Sequence, residues 1–246
     1  VTAAVSASPA AALLAIDSAT ERLCLAAQAA GRRWTHAGEG GATASSQLLP
    51  LLMAGLRQLG VTLDALDAIA FVQGPGAFTG LRTACAVAQG LAYGAAKPVL
   101  ALDSLMLVAE DAWAQAGRPG HFEVWVAMDA RMDEAYVAAY HRAGDTWQPL
   151  QPPALYALPA LNALWARLPP GVVAGNALTA FGTRLSAGEA TVFATEQDRP
   201  AALLRLAQQA WHRGELFDAS EALPLYLRDK VAQTTAERAA AKDAAR

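Results

Sequence analysis

No stretch constrains this chain more than Ile69-Ala70-Phe71-Val72-Gln73-Gly74-Pro75-Gly76-Ala77-Phe78-Thr79-Gly80-Leu81-Arg82. Four apolar residues read as a buried strand. Gly-Pro-Gly ends it, and a helical pattern follows over 78–93. Strand, tight glycine turn and helix make an α/β unit against which the flanking segments can be ordered.

Before that unit the chain reads as strands at 13–16, 23–27 and 31–35, with links short enough for an antiparallel meander. A loop at 38–43 leads to a helix over 46–59, capped by Ser45 or Ser46 and stopped by Gly60. Pro50 fits that helix only near its first turn. Its leucines, 48, 49, 51, 52, 56 and 59, occupy more than one face. One face covers a sheet; the other meets a partner chain or is sandwiched in a larger core. A strand at 99–102 and a helix at 105–116, capped by Asp103 or Ser104, complete a β-β-β-α-β-α-β order.

From residue 117 a shorter, less regular version begins. Strands are expected at 122–128 and 135–140, then a proline-broken extended stretch at 147–159 and a helix at 161–168. Strands at 171–177 and 191–193 and a helix at 200–213 follow. The reading is α/β with two domains of related topology. Residues 1–11 form a disordered tail. Residues 12–104 plus about 200–216 form the first domain, and 105–199 a reduced second one. Residues 217–246 form a C-terminal docking segment and frayed tail. Within that segment Leu223, Leu225, Tyr226 and Leu227 can pack back or meet a partner.

Composition narrows the function. The chain has 246 residues, 54% of them hydrophobic, enough for a sizeable core. A formal net charge of −3, with only small basic clusters at Arg32-Arg33 and Arg228 with Lys230, argues against tight nucleic-acid binding by this chain alone. Cys24 and Cys85 lie far apart with no CxxC pattern, which argues against a disulfide framework or zinc knuckle and fits a reducing compartment. No apolar run is long enough to span a bilayer.

Chemistry-bearing candidates are few. Asp17 and Thr20 at a strand end suit a hydrated Mg²⁺ and a phosphate, or equally a turn in which Asp17 satisfies backbone amides. Gly76 and Thr79 suit an anion at a helix start, or simply a chain turning into that helix; the lysine of a phosphate loop is absent. Asp129, Asp133 and Glu134 form either an acid–base cluster or a solvated hairpin tip balanced by Arg131. The four histidines lack metal-ligand spacing. No catalytic residue and no metal ligand is assigned.

Several separated pieces occur in order across residues 13–232. They are Leu14-Ala15-Ile16-Asp17-Ser18-Ala19-Thr20, Ser46-Gln47-Leu48-Leu49-Pro50, the 69–82 stretch, and Ala88-Gln89-Gly90-Leu91-Ala92-Tyr93-Gly94. Asp129-Ala130-Arg131-Met132-Asp133-Glu134-Ala135-Tyr136 and Tyr226-Leu227-Arg228-Asp229-Lys230-Val231-Ala232 complete the set. With them the chain resembles the TsaB (YeaZ) family, the non-catalytic paralogue in bacterial synthesis of threonylcarbamoyladenosine on tRNA. Gln73 stands where an arginine is often found, and Ala44-Ser45 where an acidic residue and a histidine are usual.

That resemblance implies an actin-like (ASKHA) fold of two RNase H-like halves in a cytoplasmic protein. It implies a scaffold that heterodimerises with the catalytic TsaD-like subunit, which transfers threonylcarbamoyl to adenosine 37 of tRNAs reading ANN codons. A TsaE-like ATPase docks on the pair, tRNA is met only through the complex, and a homodimer forms when the partner is absent. The partner surface falls on the helices of the first half: Leu48, Leu49, Leu52, Met53, Leu56, Phe78, Arg82, Cys85, Ala88 and Gln89. No cofactor is tightly bound. ATP or ADP with Mg²⁺ belongs to the partner subunit or the interface, leaving Asp17, Thr20, Gly76 and Thr79 as weak nucleotide or anion candidates. The rival readings are an independent ATP–Mg²⁺-dependent kinase or hydrolase, and a protease. The lack of a nucleophile–base pair beside a histidine argues against the protease.

Overall fold

A computed structural model describes residues 11–41 and 44–228. The expected N-terminal tail, Ala11 apart, and the charge-rich end from residue 229 lie outside the described residues.

The first apolar run becomes β1 (Leu13–Asp17), buried along its whole length because it is the centre of a sheet. β2 (Arg22–Ala29) pairs with it antiparallel, Asp17 opposite Cys24. β3 (Arg32–Glu39) extends the meander as an edge strand, alternately more and less exposed. It runs on through Gly38 and Glu39, where a loop was expected, because that alternation continues. On the other side of β1 lie β4 (Ala68–Gly74) and β5 (Val99–Asp103), both parallel, giving the order β3-β2-β1-β4-β5.

The second sheet repeats this path. It holds β6 (His121–Asp129), β7 (Glu134–Ala143), β8 (Thr146–Ala157), β9 (Val172–Ala174) and β10 (Thr191–Phe193), in the order β10-β9-β6-β7-β8. Each of β6 to β10 takes the place of β1 to β5 in turn. The proline-broken stretch is a strand after all. β8 lies at the sheet edge, where Pro149, Pro152 and Pro153 need not donate to a neighbour on both sides, and its register against β7 slips near Ala139.

Helices cover three levels. α1 (Ala44–Leu59) and α2 (Phe78–Ala95) pack on the outer face of the first sheet, sealing Leu14, Ile16, Leu25 and Phe71. α4 (Leu158–Arg167) and α5 (Ala177–Phe181) do the same for the second sheet around Val137 and Leu161. Between the sheets lie α3 (Ser104–Gln115) and α6 (Arg199–Arg213), in a core that takes Leu13 and Leu100 from one sheet and Val124 and Tyr140 from the other. α6 packs on β1, β2, β3 and β5, so the chain returns to close the first half. Pro50 sits beyond the first turn of α1, the turn where it was expected, but on the exposed side of that helix.

One buried carboxylate ties the halves. Glu110 of α3 accepts from Arg142 of β7 at 2.9 Å, Trp147 of β8 at 2.6 Å and Arg205 of α6 at 2.6 Å. A charge this deep is tolerable only with such a full set of partners.

Candidate functional site

β1, β4, β6 and β9 all end at one cleft of about 800 Å³ between the two halves. Its walls include Thr20, Gly76, Ser104, Tyr136, Asn176 and Arg228.

The anion and nucleotide candidates separate here. Thr20 and Gly76 line the cleft; Asp17 and Thr79 are not among its lining residues. Asp17 is fully buried. Its Oδ1 accepts from the Ala19 amide at 2.9 Å, and its Oδ2 pairs with Arg199 Nε at 2.5 Å. A cation would have to displace that guanidinium, so the Mg²⁺ reading of Asp17 gives way to a structural one. Burial works against the Arg199 charge, but Asp17 and Glu196 more than offset it, and the side chain is held charged. Burial in turn pushes the Glu196 carboxyl up, and pushes the Cys24 thiol, next to Asp17, up to about 12.

The glycines of the central stretch serve a close approach. A Cβ on Gly80 would lie 1.8 Å from the Ser18 carbonyl oxygen, and one on Gly76 would lie 2.4 Å from that of Ala19. The first turn of α2 thus rests backbone to backbone on the β1–β2 turn. The Ala77 amide donates to Ala19 at 2.7 Å and the Ser18 hydroxyl to Gly80 at 2.8 Å. Thr79 lends its carbonyl to Thr83, 3.0 Å away, and is exposed beside this contact.

The three carboxylates of the β6–β7 turn each take a separate arginine. Asp129 pairs with Arg131 at 3.2 Å, Asp133 with Arg184 at 2.8 Å and Glu134 with Arg228 at 2.5 Å. They do not converge on one point as an acid–base pair must. Among the described residues, no group of three or more His, Cys, Asp or Glu side chains is placed to hold a metal, and no helix is long and apolar enough to cross a membrane.

The expected partner-facing residues divide by helical face. Leu48, Leu52 and Leu56 of α1, with Cys85 and Ala88 of α2, are buried against the first sheet by the chain itself. Those five are corrected from surface to core: a spacing of four on α1 and of three on α2 turns each set inward. Leu49 is 45% exposed, Arg82 is exposed, and Met53, Phe78 and Gln89 are half-buried. The outward face of α2 also presents Ala86, Gly90, Gly94 and Tyr93, the last 84% exposed. Sequence reasoning missed Tyr93 as a surface residue, although its spacing of four from Gln89 was a usable signal. It also missed Arg199 as the partner of Asp17, for which no local signal exists.

Residues 35–180 match the protein family described as TsaD, tRNA N6-adenosine threonylcarbamoyltransferase. The chain is similar to the tRNA threonylcarbamoyladenosine biosynthesis protein TsaB of Escherichia coli K12, 32% identical over 229 residues, covering 89% of this chain and 96% of the relative. It is 38% identical over 125 residues to the protein of the same description from Haemophilus influenzae, half of each chain. Among solved structures, YeaZ from Pseudomonas aeruginosa superposes with a TM-score of 0.76 at 34% identity, covering 88% of this chain and all of the other. A second structure, an uncharacterized protein with similarity to peptidase YeaZ from Pseudomonas aeruginosa, gives 0.80 at 35% identity, covering 89% of this chain and all of the other.

Proposed function

This chain belongs to the TsaB (YeaZ) family, within the wider TsaD family, and we propose that it is the scaffold subunit that pairs with a TsaD-like catalytic subunit. The pair makes threonylcarbamoyladenosine at position 37 of tRNA, in the cytoplasm. Its partner contributes the transfer chemistry; this chain contributes a surface. One observation carries the reading. The acidic residue at the end of its first strand, where a cation-binding role would be sought, is neutralised by its own Arg199, while the outer faces of α1 and α2 keep Leu49, Met53 and Tyr93 open or half-open to solvent.

The duplicated β-β-β-α-β-α-β path supports two RNase H-like halves in an actin-like arrangement. Small residues at 86, 90 and 94 let a partner helix approach α2 closely, with Tyr93 as the aromatic anchor such interfaces favour. A TsaE-like ATPase docks on the assembled pair, tRNA is met only there, and in the partner's absence the same face closes on a second copy. ATP or ADP and Mg²⁺ act at the partner or at the shared boundary.

The test is reconstitution with the host's TsaD-like and TsaE-like proteins, omitting each in turn, with threonylcarbamoyl adenylate, ATP and tRNA supplied and modified adenosine in tRNA as readout. We expect modification to collapse without this chain and this chain alone to turn over nothing. Equal modification without it, or ATP hydrolysis by the isolated chain, contradicts the proposal.

A further inference from the structure

The described chain does not end with α6. Residues 217–228 leave the first half, cross the cleft mouth and finish on the second half. We propose that this segment is a strap that clamps the two halves at one angle and walls the cleft between them.

Its first anchors are on the first half. Phe217 and Val99 exchange two backbone bonds of 3.0 Å, adding a bridge to the free side of β5. The Cys85 thiol donates to the Ala222 carbonyl. The Leu225 amide donates to Gln73 at 2.7 Å, and the strap lies so close that a Cβ on Gly74 would stand 2.5 Å from the Leu225 carbonyl oxygen. Tyr226 then packs on Phe78, ring centroids 5.0 Å apart and planes tilted by 32°, and its hydroxyl accepts from Arg82 Nε at 3.1 Å.

The last anchor is on the second half. Arg228 donates to the carbonyls of Ala130 at 2.9 Å and Arg131 at 3.4 Å, and pairs with Glu134 at 2.5 Å; its side chain is only 11% exposed. It grips an unusual turn. Arg131, Met132 and Asp133 are consecutive non-glycine residues with φ of 64°, 57° and 57°. Side chains resist that left-handed region, so a run of three persists only where surrounding contacts fix it. Arg228 supplies such contacts with both arms of its fork, Nη2 to the two carbonyls and Glu134 and Nη1 to the Met132 sulfur at 2.8 Å, charge-assisted and screened from water. Leu225, Tyr226, Leu227 and Arg228 all line the cleft, so the clamp is also its wall. At the cleft mouth, among the described residues, the Arg131–Glu21 pair lies between side chains 71% and 85% exposed and contributes little holding force, so beyond the Glu110 pairs in the core the angle at the mouth is left to the strap.

The interdomain distance tests this on the full chain. Spin labels on Gln58→Cys of α1 and Ala163→Cys of α4, both exposed positions, report it with the buried Cys24 and Cys85 left unchanged, since Cys85 anchors the strap. The reference protein is expected to give one narrow distribution. Arg228→Ala is expected to shift it by several ångström and broaden it, with faster amide exchange over 130–134, whereas Glu21→Ala, which removes the exposed Arg131–Glu21 pair from outside the turn, leaves both unchanged. If Arg228→Ala fails to fold, Arg228→Lys, which keeps the charge near Glu134 but loses the fork, is expected to broaden it partially. A distribution that superimposes on the reference in whichever of the two Arg228 variants folds overturns the strap as a clamp.

Discussion

Two turns face each other across the cleft, and topology makes them twins. β1 ends in Asp17 before the β1–β2 turn; β6 ends in Asp129 before the β6–β7 turn. The twins treat the same residue type in opposite ways. Asp17 is fully buried and locked to Arg199, itself buried, with Cys24 opposite it on β2. Asp129 pairs with Arg131, whose side chain is largely in water, and faces Ala135 on β7. One turn has become part of the core of the first half. In the other, Asp129 keeps 11% of its side chain exposed against a partner in water, and the turn is braced from outside by Arg228. The difference teaches that duplicated topology does not duplicate a site: a buried ion pair removes one carboxylate from chemistry, and separate arginines disperse the others.

The largest effect should come from Asp17→Asn, which leaves Arg199 buried without its main counter-charge and is expected to cost about 3–5 kcal/mol. Asp129→Asn is expected to cost about 1 kcal/mol or less, as for pairs with a solvated partner. Urea unfolding of both variants checks this, and equal losses would break the comparison. Next, α2 can be probed on its two faces. Gly80→Ala drives a methyl into the Ser18 carbonyl and is expected to destabilise by about 1–3 kcal/mol or more. Gly90→Ala meets nothing within 4 Å and is expected to stabilise the free chain by about 0.5–1 kcal/mol.

A smaller, pH-dependent effect separates the twins again. Cys24 has its thiol raised from 9.0 to about 12, chiefly by burial and then by Asp17. The folded state therefore keeps a proton that the unfolded chain loses. The stability this proton contributes is full below pH 9 and falls as pH rises toward 12, by about 1.4 kcal/mol at pH 10. Cys24→Ala should flatten that slope in thermal melts between pH 8 and about 10.

The order of elements was legible because period and punctuation are local: an apolar run cut by Gly-Pro-Gly can be little else than a strand entering a turn. β8 was not legible as a strand, because its prolines are tolerated only by an edge position that topology alone decides. The site was half legible. Asp17, Thr20 and Gly76 were found by their motifs, but the fate of Asp17 depends on a residue 182 positions away. Likewise the leucines of α1 showed two faces without showing which one points inward. Burial settles Leu48, Leu52 and Leu56 as core and leaves Leu49 and Met53 on the outer side.

The most direct measurement of the scaffold reading is calorimetric binding of the TsaD-like subunit to Tyr93→Glu, set against Leu168→Glu. Both replace a solvent-exposed apolar side chain, one on α2 and one just after α4. We expect Tyr93→Glu to weaken pairing at least about tenfold with an unchanged melt, because a charge is placed on the exposed face of α2, and Leu168→Glu to bind like the parent protein. Unchanged binding by Tyr93→Glu together with loss by Leu168→Glu would contradict a partner surface on the first half.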